Sequence, residues 1–313
     1  MSIAFVFPGQ GSQSVGMLNG FAHLPEVAAL MNEANEVLGF PLTTLIEEGP
    51  IETLSLTVNT QPAMLLAACS YWKAWQNAGG PMPAMLAGHS LGEYSAHAVA
   101  GTFSFREAVA LVRFRAESMQ AAVPVGVGGM AALIGLDAQS VDEVCREAAG
   151  AGLVVPANKN APGQIVIAGE VKAVERACEI AREKGCRRAM VLPVSAPFHS
   201  PMMKEAAEAI RERVGAMKLG EPRFPIVANV DAAVHPVAET ADVLARQACS
   251  PVEWIASVEA MAAAGVTDVV ECGPGKVLTG LIKRINPELR LHNFSDEESM
   301  KAVIEELKAA GAA

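Results

Sequence analysis

Short apolar runs alternate with amphipathic segments along the first part of the chain. The first run, at 3–7, ends at Pro8-Gly9, which is typical of a buried strand followed by a loop, and a second run spans 83–87. A hydrophobic period of 3.6 residues predicts helices at 26–38, 61–78, 92–99 and 105–122. Strands that alternate with helices favour a parallel sheet covered on both faces.

A glycine-rich stretch at 124–129 precedes a section with a different order of elements. There the pattern predicts a strand, a helix, two strands, a helix and a strand, at 130–136, 140–149, 153–158, 164–168, 171–184 and 187–194. This order, β-α-β-β-α-β, is that of the split β-α-β motif in ferredoxin-like domains. We therefore expect a small ferredoxin-like subdomain at 126–194.

The earlier alternation returns after Pro197. Helices are predicted at 202–217 and 252–264, and strands at 226–230, 266–271 and 289–293. The pattern thus predicts an α/β protein with a mostly parallel sheet. Residues 1–125 and 195–313 would form its larger subdomain, and the small subdomain would be inserted between them.

Composition and charge narrow the class of protein. The 313 residues are 51% hydrophobic, enough for a core without disulfides, and the net charge of −10 disfavours a nucleic-acid partner. The six cysteines form no C-x-x-C pair and none has metal-finger spacing to a histidine, so we expect free thiols in a reducing cytoplasm and no metal site. Met1-Ser2 leads directly into a strand, and no run of about 18 apolar residues occurs, so we expect neither signal peptide nor membrane helix.

The sequence GHSLG at 88–92 fits the G-x-S-x-G pattern of a nucleophile elbow. A strand is predicted before it and a helix after it, as that turn requires. The flanking glycines allow close backbone approach, and free N–H groups at a helix N-terminus can stabilise an oxyanion. We expect Ser90 to be a nucleophile; the alternative is an ordinary tight turn.

A serine nucleophile needs a general base, because its hydroxyl is weakly nucleophilic at neutral pH. The candidates are His23, His89, His97, His199, His235 and His292. His199 follows a predicted strand in a loop stiffened by Pro197 and Pro201, which suits a base, although a structural histidine is the alternative. No acidic residue has a distinctive setting, and a backbone carbonyl can orient a histidine instead.

Two arginines lie two residues apart on the helix predicted at 105–122 and must face different sides. An inward-facing Arg115 would need an anion, and its planar guanidinium suits a carboxylate. A structural ion pair is the alternative.

Seven ordered motifs over about 270 residues resemble the malonyl-CoA:acyl-carrier-protein transacylases and the related acyltransferase domains of polyketide synthases. They are FPGQGSQ at 7–13, NTQPA at 59–63, GHSLGEYSA at 88–96, R-x-R-x-x-x-M-Q at 113–120, NAPGQIVIAG at 160–169, PFHS at 197–200 and ECGPGKVL at 271–278. The fold implied is an α/β-hydrolase-like large subdomain with a ferredoxin-like insert.

The resemblance implies roles for individual residues. Ser90 would be acylated, His199 would be its base, and Arg115 would bind the free carboxylate of a malonyl group. The main-chain carbonyl of Gln247 would hold the second nitrogen of the histidine.

The same resemblance implies that Gln10 and the N–H of Leu91 form the oxyanion hole, and that Gln61 and Asn160 line the site. Phe198 matches the pattern usual for malonyl; enzymes for branched substrates more often have serine there. Ala116 departs from the usual glycine, a small change that we expect to leave Arg115 in place.

The function implied is transfer of malonyl from malonyl-CoA to the phosphopantetheine thiol of acyl carrier protein, through a malonyl-serine ester, for fatty acid synthesis. The CoA thioester would be a substrate, and no tightly bound cofactor is expected. Alternatives are a stand-alone polyketide acyltransferase, a malonate-decarboxylase subunit, a serine hydrolase or a silent scaffold. A monomer is expected.

Carrier proteins are typically acidic, so an acidic enzyme needs a local basic surface to bind one. The candidate docking residues are Arg187, Arg188, Lys276, Lys283 and Arg284. An ordinary solvated face is the alternative.

Overall fold

The computed structural model describes residues 2–194 and 196–311. The strands are β1 (Ile3–Phe7), β2 (Met85–Gly88), β3 (Gly128–Ile134), β4 (Val154–Ala161), β5 (Gln164–Glu170), β6 (Arg188–Val191), β7 (Ile226–Val227), β8 (Asp268–Glu271) and β9 (Arg290–Asn293). The α-helices are α1 (Pro25–Leu38), α2 (Leu42–Glu48), α3 (Ile51–Leu54), α4 (Thr57–Asn77), α5 (Leu91–Ala100), α6 (Phe105–Ala121), α7 (Ala138–Ala148), α8 (Val171–Glu183), α9 (Lys204–Gly215), α10 (Thr240–Cys249), α11 (Trp254–Ala263), α12 (Val277–Ile285) and α13 (Glu297–Ala309).

A parallel five-stranded sheet has the order β7-β2-β1-β8-β9. The central strand β1 is buried along its whole length, which explains its unbroken apolar sequence. Its side chains alternate between the two faces. Phe5 and Phe7 belong to a core with the tryptophans of α4, whereas Ala4 and Val6 belong to a core around Trp254.

An antiparallel four-stranded sheet has the order β4-β5-β3-β6. One face packs on α7 and α8 through a core that includes Leu133 and Ile167. The other face presents Met130 and Val166 to Phe198. All four strands fall within the predicted range 126–194, although the division of the chain into two subdomains stays a prediction. The mixed α/β fold and the parallel sheet are confirmed.

Some elements differ from the pattern-based expectations. The strand predicted at 226–230 ends at Val227, because the next residues turn toward the elbow helix and the N–H of Asn229 bonds to Glu93. The strand predicted at 187–194 is shorter, Arg188–Val191, and Pro193 has no N–H to extend it. Residue 195, at which the larger subdomain is predicted to resume, lies outside the described residues.

Helices α2, α3, α10, α12 and α13 were not predicted. The first two are only seven and four residues long, too short for a clear period. Helix α13 had a start signal, since the Asp296 side chain accepts from the N–H of Ser299 at 2.8 Å. Within the described ranges, no helix combines the length and the apolar character needed to cross a membrane.

Candidate active site

The turn from β2 into α5 places Ser90 at the carboxyl edge of the parallel sheet. Ser90 has φ 53° and ψ −106°, a conformation rare outside glycine. A Cβ on Gly88 would lie 1.9 Å from the carbonyl carbon of Gly92, and one on Gly92 would lie 1.9 Å from the oxygen of Phe7. Both glycines are therefore required by packing, and they hold the serine in a sharp, strained turn.

His199 is hydrogen-bonded directly to Ser90. The Ser90 Oγ lies 2.7 Å from His199 Nε2, and His199 Nδ1 lies 2.8 Å from the main-chain oxygen of Gln247. A carbonyl oxygen only accepts, so Nδ1 must hold the proton and Nε2 is free to accept the serine hydroxyl.

The ring is held in place by its loop. His199 is 3% exposed with φ 59°, and the hydroxyl of Ser200 donates to the oxygen of Pro197 at 2.7 Å. Burial first, and the positive charge of Arg115 second, lower the pKa of His199 to about 3. The imidazole is therefore neutral and able to accept a proton at physiological pH.

Arg115 is 2% exposed and aims its guanidinium at the same point. Its Nη1 donates to Gln61 Oε1 at 2.8 Å, and its Nη2 donates to Gln247 Oε1 at 3.0 Å and to Ser90 Oγ at 3.2 Å. Among the residues that the structure describes, its Nε has no hydrogen-bond partner, and burial lowers the pKa of the guanidinium. Within the part of the chain that the structure describes, no carboxylate pairs with this guanidinium, so the structural ion pair is not observed.

Arg113 behaves differently, as the two-residue spacing predicts. Its side chain is partly exposed and bonds to Glu117 at 2.5 Å and to the oxygen of Val58 at 3.0 Å. Only Arg115 turns toward the serine.

A cavity of about 140 Å³ opens in front of the serine. It is lined by Gln10, Gln61, His89, Ser90, Leu91, Arg115, Met119, Met130, Asn158, Leu192, Val194, Phe198 and His199. Leu91 is the first residue of α5, so its N–H has no acceptor within the helix. Gln10 lies in the loop after β1, and its Oε1 accepts from Thr57 Oγ1 at 3.4 Å.

Asn160 is placed differently from the expectation. Its Oδ1 lies 2.7 Å from His89 Nε2, and it is absent from the residues that line the cavity. Asn158, two residues earlier on β4, lines the cavity instead. His89, one of the six candidate bases, also lines it.

Besides Asn158, two further polar residues of the site were not predicted. Glu93 is fully buried; its Oε2 accepts from Asn229 N at 2.9 Å and from Gln247 Nε2 at 3.0 Å, and burial raises its pKa to about 7. Asn229 Oδ1 accepts from the N–H of Ser90 at 2.7 Å, and its Nδ2 donates to Gly88 O at 2.6 Å. An acidic residue in the first turn of the elbow helix was the available signal for Glu93.

The five basic docking candidates lie at the surface. Arg187 and Arg188 are exposed at the start of β6, and Lys276 and Lys283 are exposed around α12. Arg284 is also exposed but bonds to the hairpin between β4 and β5, through Gln164 Oε1 and the oxygen of Pro162. None of the five lines the cavity. In the described residues, no group of three or more histidine, cysteine, aspartate or glutamate side chains is arranged to hold a metal ion.

The profile of the acyl transferase domain matches residues 4–308 of the chain. The chain belongs to this acyl transferase family. It is 48% identical to the malonyl CoA-acyl carrier protein transacylase of Salmonella typhimurium, over 96% of the chain and 98% of that relative.

Solved structures agree with this membership. The fold is similar to an acyl-carrier-protein S-malonyltransferase from Burkholderia pseudomallei, with a TM-score of 0.96 and 52% identity over 97% of this chain and 100% of that one. It is also similar to a malonyl-transacylase solved in complex with a type II polyketide synthase acyl-carrier protein, with a TM-score of 0.95 and 45% identity over 98% of this chain and 100% of that one.

Proposed function

We propose that this acyltransferase moves a malonyl group from malonyl-CoA to the phosphopantetheine thiol of acyl carrier protein, through an ester on Ser90, for fatty acid synthesis. The observation that carries the proposal is Arg115, a buried cation with no carboxylate paired to it among the described residues, whose Nη2 lies 3.2 Å from Ser90 Oγ. An acyl group that also carries a carboxylate satisfies both residues at once. The names of the relatives support the same substrate.

In the first half-reaction, the malonyl carboxylate pairs with Arg115. His199 Nε2 takes the hydroxyl proton as Ser90 Oγ bonds to the thioester carbonyl carbon. The amide of Gln10 and the N–H of Leu91 stabilise the oxyanion. The C–S bond then breaks, and the CoA sulfur leaves with the proton from His199.

The second half-reaction repeats the same chemistry with a different acceptor. The phosphopantetheine thiol gives its proton to His199 and attacks the ester carbonyl. The C–O bond to Ser90 breaks, and the serine oxygen recovers the proton. His199 carries the transferred proton in both half-reactions, so the cycle needs no reactant beyond the two substrates. We therefore propose no tightly bound cofactor.

The remaining site residues hold the substrate. Gln61 orients the guanidinium of Arg115 through its 2.8 Å bond, and Phe198 limits the size of the acyl group. Asn160 acts indirectly, through its bond to His89.

We propose that the carrier protein docks on Arg187, Arg188, Lys276, Lys283 and Arg284, all of which are exposed. The net charge of −10 supports a local basic surface, because an acidic partner would otherwise be repelled. A cytoplasmic location is supported by the six cysteines, which are all described and all free thiols. We propose a monomer as the active unit.

A second candidate is the same transfer to the carrier protein of a polyketide synthase, because one similar structure is a complex with such a carrier. The two pathways share the chemistry at Ser90 and differ in the carrier protein. A hydrolase is disfavoured, because transfer of an acyl group to water does not require an arginine that binds a carboxylate.

The test is intact-mass analysis of the protein after exposure to malonyl-CoA, followed by addition of holo acyl carrier protein. We expect a malonyl adduct that Ser90→Ala lacks, and that disappears as the carrier protein gains the same mass. An adduct that persists in Ser90→Ala, or that is lost to water as quickly as to the carrier protein, would refute the proposal.

A further inference from the structure

A buried carboxylate lies behind the proposed catalytic pair. Glu93, in the first turn of α5, is fully buried, and its Oε2 accepts from the N–H of Asn229 and from Nε2 of Gln247. Burial of an ionisable group costs free energy that hydrogen bonds must offset. The proposed catalytic steps do not involve Glu93. An uncharged side chain could link α5 to α10 with a smaller free-energy cost of burial.

Gln247 connects Glu93 to the rest of the site. Its main-chain oxygen accepts from His199 Nδ1 at 2.8 Å, and its side-chain oxygen accepts from Arg115 Nη2 at 3.0 Å. Its Nε2 donates to Ser90 O at 2.8 Å and to Glu93 Oε2 at 3.0 Å. Reversing the amide would turn its NH₂ group toward the guanidinium and its oxygen toward two acceptors. Only the observed orientation satisfies the three neighbours of the side-chain amide.

The amide also lies between two opposite charges. The positive charge of Arg115 favours the ionised form of Glu93, and ionised Glu93 favours the charged form of Arg115. A hydrogen bond to an ionised acceptor is stronger than one to a neutral acceptor, so the carboxylate holds the Gln247 amide more firmly than an amide or hydroxyl would.

We infer that Glu93 is a positioning residue that fixes Gln247 and, through it, the His199 ring and the Arg115 guanidinium for attack by Ser90. The inference rests on the proposed function, because it concerns the rate at which Ser90 is acylated. The ionised carboxylate is the active form, since protonation removes the charge that orders the amide.

The charges around Glu93 determine how this behaviour depends on pH. Arg115 on α6 favours the carboxylate, Asp231 after β7 opposes it, and α10 contributes the neutral Gln247. Glu93 also lines a second cavity of about 40 Å³ with His97 and His235, enough volume for one or two water molecules to exchange its proton. With burial as the main cause, its pKa lies at about 7, so the active form is lost as pH falls through neutrality.

The experiment measures single-turnover malonylation of Ser90 by intact mass, in the full-length protein, at pH values on either side of neutrality. In Glu93→Gln, which keeps the shape and one acceptor, we expect a rate about tenfold lower than wild type above neutral pH. The wild-type rate should fall toward that of Glu93→Gln as pH drops, while the variant's rate stays level. A Glu93→Gln rate equal to wild type at every pH would overturn the inference.

Two further variants separate positioning from general stability. Gln247→Ala keeps the main-chain carbonyl and removes the amide, so Glu93→Gln should cost little more in that background; losses that multiply would show independent roles and overturn the inference. Glu271→Gln is the matched control, a buried carboxyl that bonds to the N–H groups of Leu278 and Thr279, and it should acylate like wild type. If wild type itself gains no malonyl, the proposed function fails, which is distinct from failure of this inference.

Discussion

Arg115 Nη2 lies 3.2 Å from Ser90 Oγ, so a buried positive charge borders the oxygen that is proposed to attack the substrate. The short distance allows one malonyl group to span the pair, with its carboxylate on the guanidinium and its carbonyl carbon at the serine. The same charge disfavours a protonated His199, which keeps the base neutral. One residue thus affects both substrate choice and base strength.

Replacement of Arg115 by alanine should separate malonyl from acetyl transfer. Malonyl acylation should fall at least about 100-fold, equivalent to about 3 kcal/mol, because the substrate carboxylate would be buried without a partner. Acetyl acylation should be kept or increase. The measurement is the rate of adduct formation with each CoA thioester, and Arg113→Ala, on the same helix but bonded to Glu117, is the control. An equal loss for both acyl groups would rule out the specificity role.

The protonation of His199 gives a second prediction. Its pKa in the folded protein is about 3, below the ordinary 6.5, so the imidazole should remain neutral well into the acid range. Between about pH 3 and pH 6.5 the imidazole of the unfolded chain binds a proton that the folded protein does not bind. His199 therefore lowers the free energy of unfolding as pH falls through this range, and it has no such effect above about pH 6.5.

The measurement is an NMR titration of the imidazole nitrogens, with His199→Phe for assignment. His235 provides an internal contrast: burial acts against its protonation, but its bonds to Asp231 and Glu239 raise its pKa. We expect His235 to titrate above His199 by several pH units. Titration of His199 near its ordinary value would contradict the buried-base assignment.

The elbow could be predicted from the sequence because its requirements are local. A strand, two glycines and a helix occupy one short stretch, and the packing at Gly88 and Gly92 confirms the reason for the glycines. The hydrogen-bond partners of Ser90 could not be predicted from local sequence in the same way. His199 was favoured among six histidines by its position after a strand, but a structural role stayed open until the resemblance was considered, and Gln247 came only from the resemblance.

Long-range hydrogen bonds explain what was missed. Asn229 bonds to Ser90 across 139 positions, and Glu93 bonds to Gln247 across 154. Neither the hydrophobic periodicity nor the spacing of residues in the sequence reveals such a contact, because it depends on how the strands pack side by side. The side chain of Gln247 was overlooked for the same reason, since only its main-chain carbonyl was expected to act.

Phe198 should limit the acyl group by its volume. Its half-buried side chain lines the cavity of about 140 Å³ beside His199, so Phe198→Ser should admit a branched group. We expect the ratio of methylmalonyl to malonyl acylation to rise about tenfold, the usual effect of relieving one methyl group. Adduct rates with the two thioesters measure it. Malonyl and methylmalonyl rates that change by the same factor would assign Phe198 to packing alone.

The basic surface at the start of β6 should affect only the second half-reaction. Arg187 and Arg188 are exposed and do not line the cavity, so Arg187→Glu with Arg188→Glu should leave Ser90 acylation by malonyl-CoA unchanged. The KM for acyl carrier protein should rise about tenfold and lose most of its dependence on salt, because two attractive charges become repulsive. Steady-state transfer at low and high salt measures this, with Lys301→Glu, at an exposed ion pair with Glu297 on α13, as the control. An unchanged KM would remove Arg187 and Arg188 from the docking surface and leave Lys276, Lys283 and Arg284 to be tested in the same way.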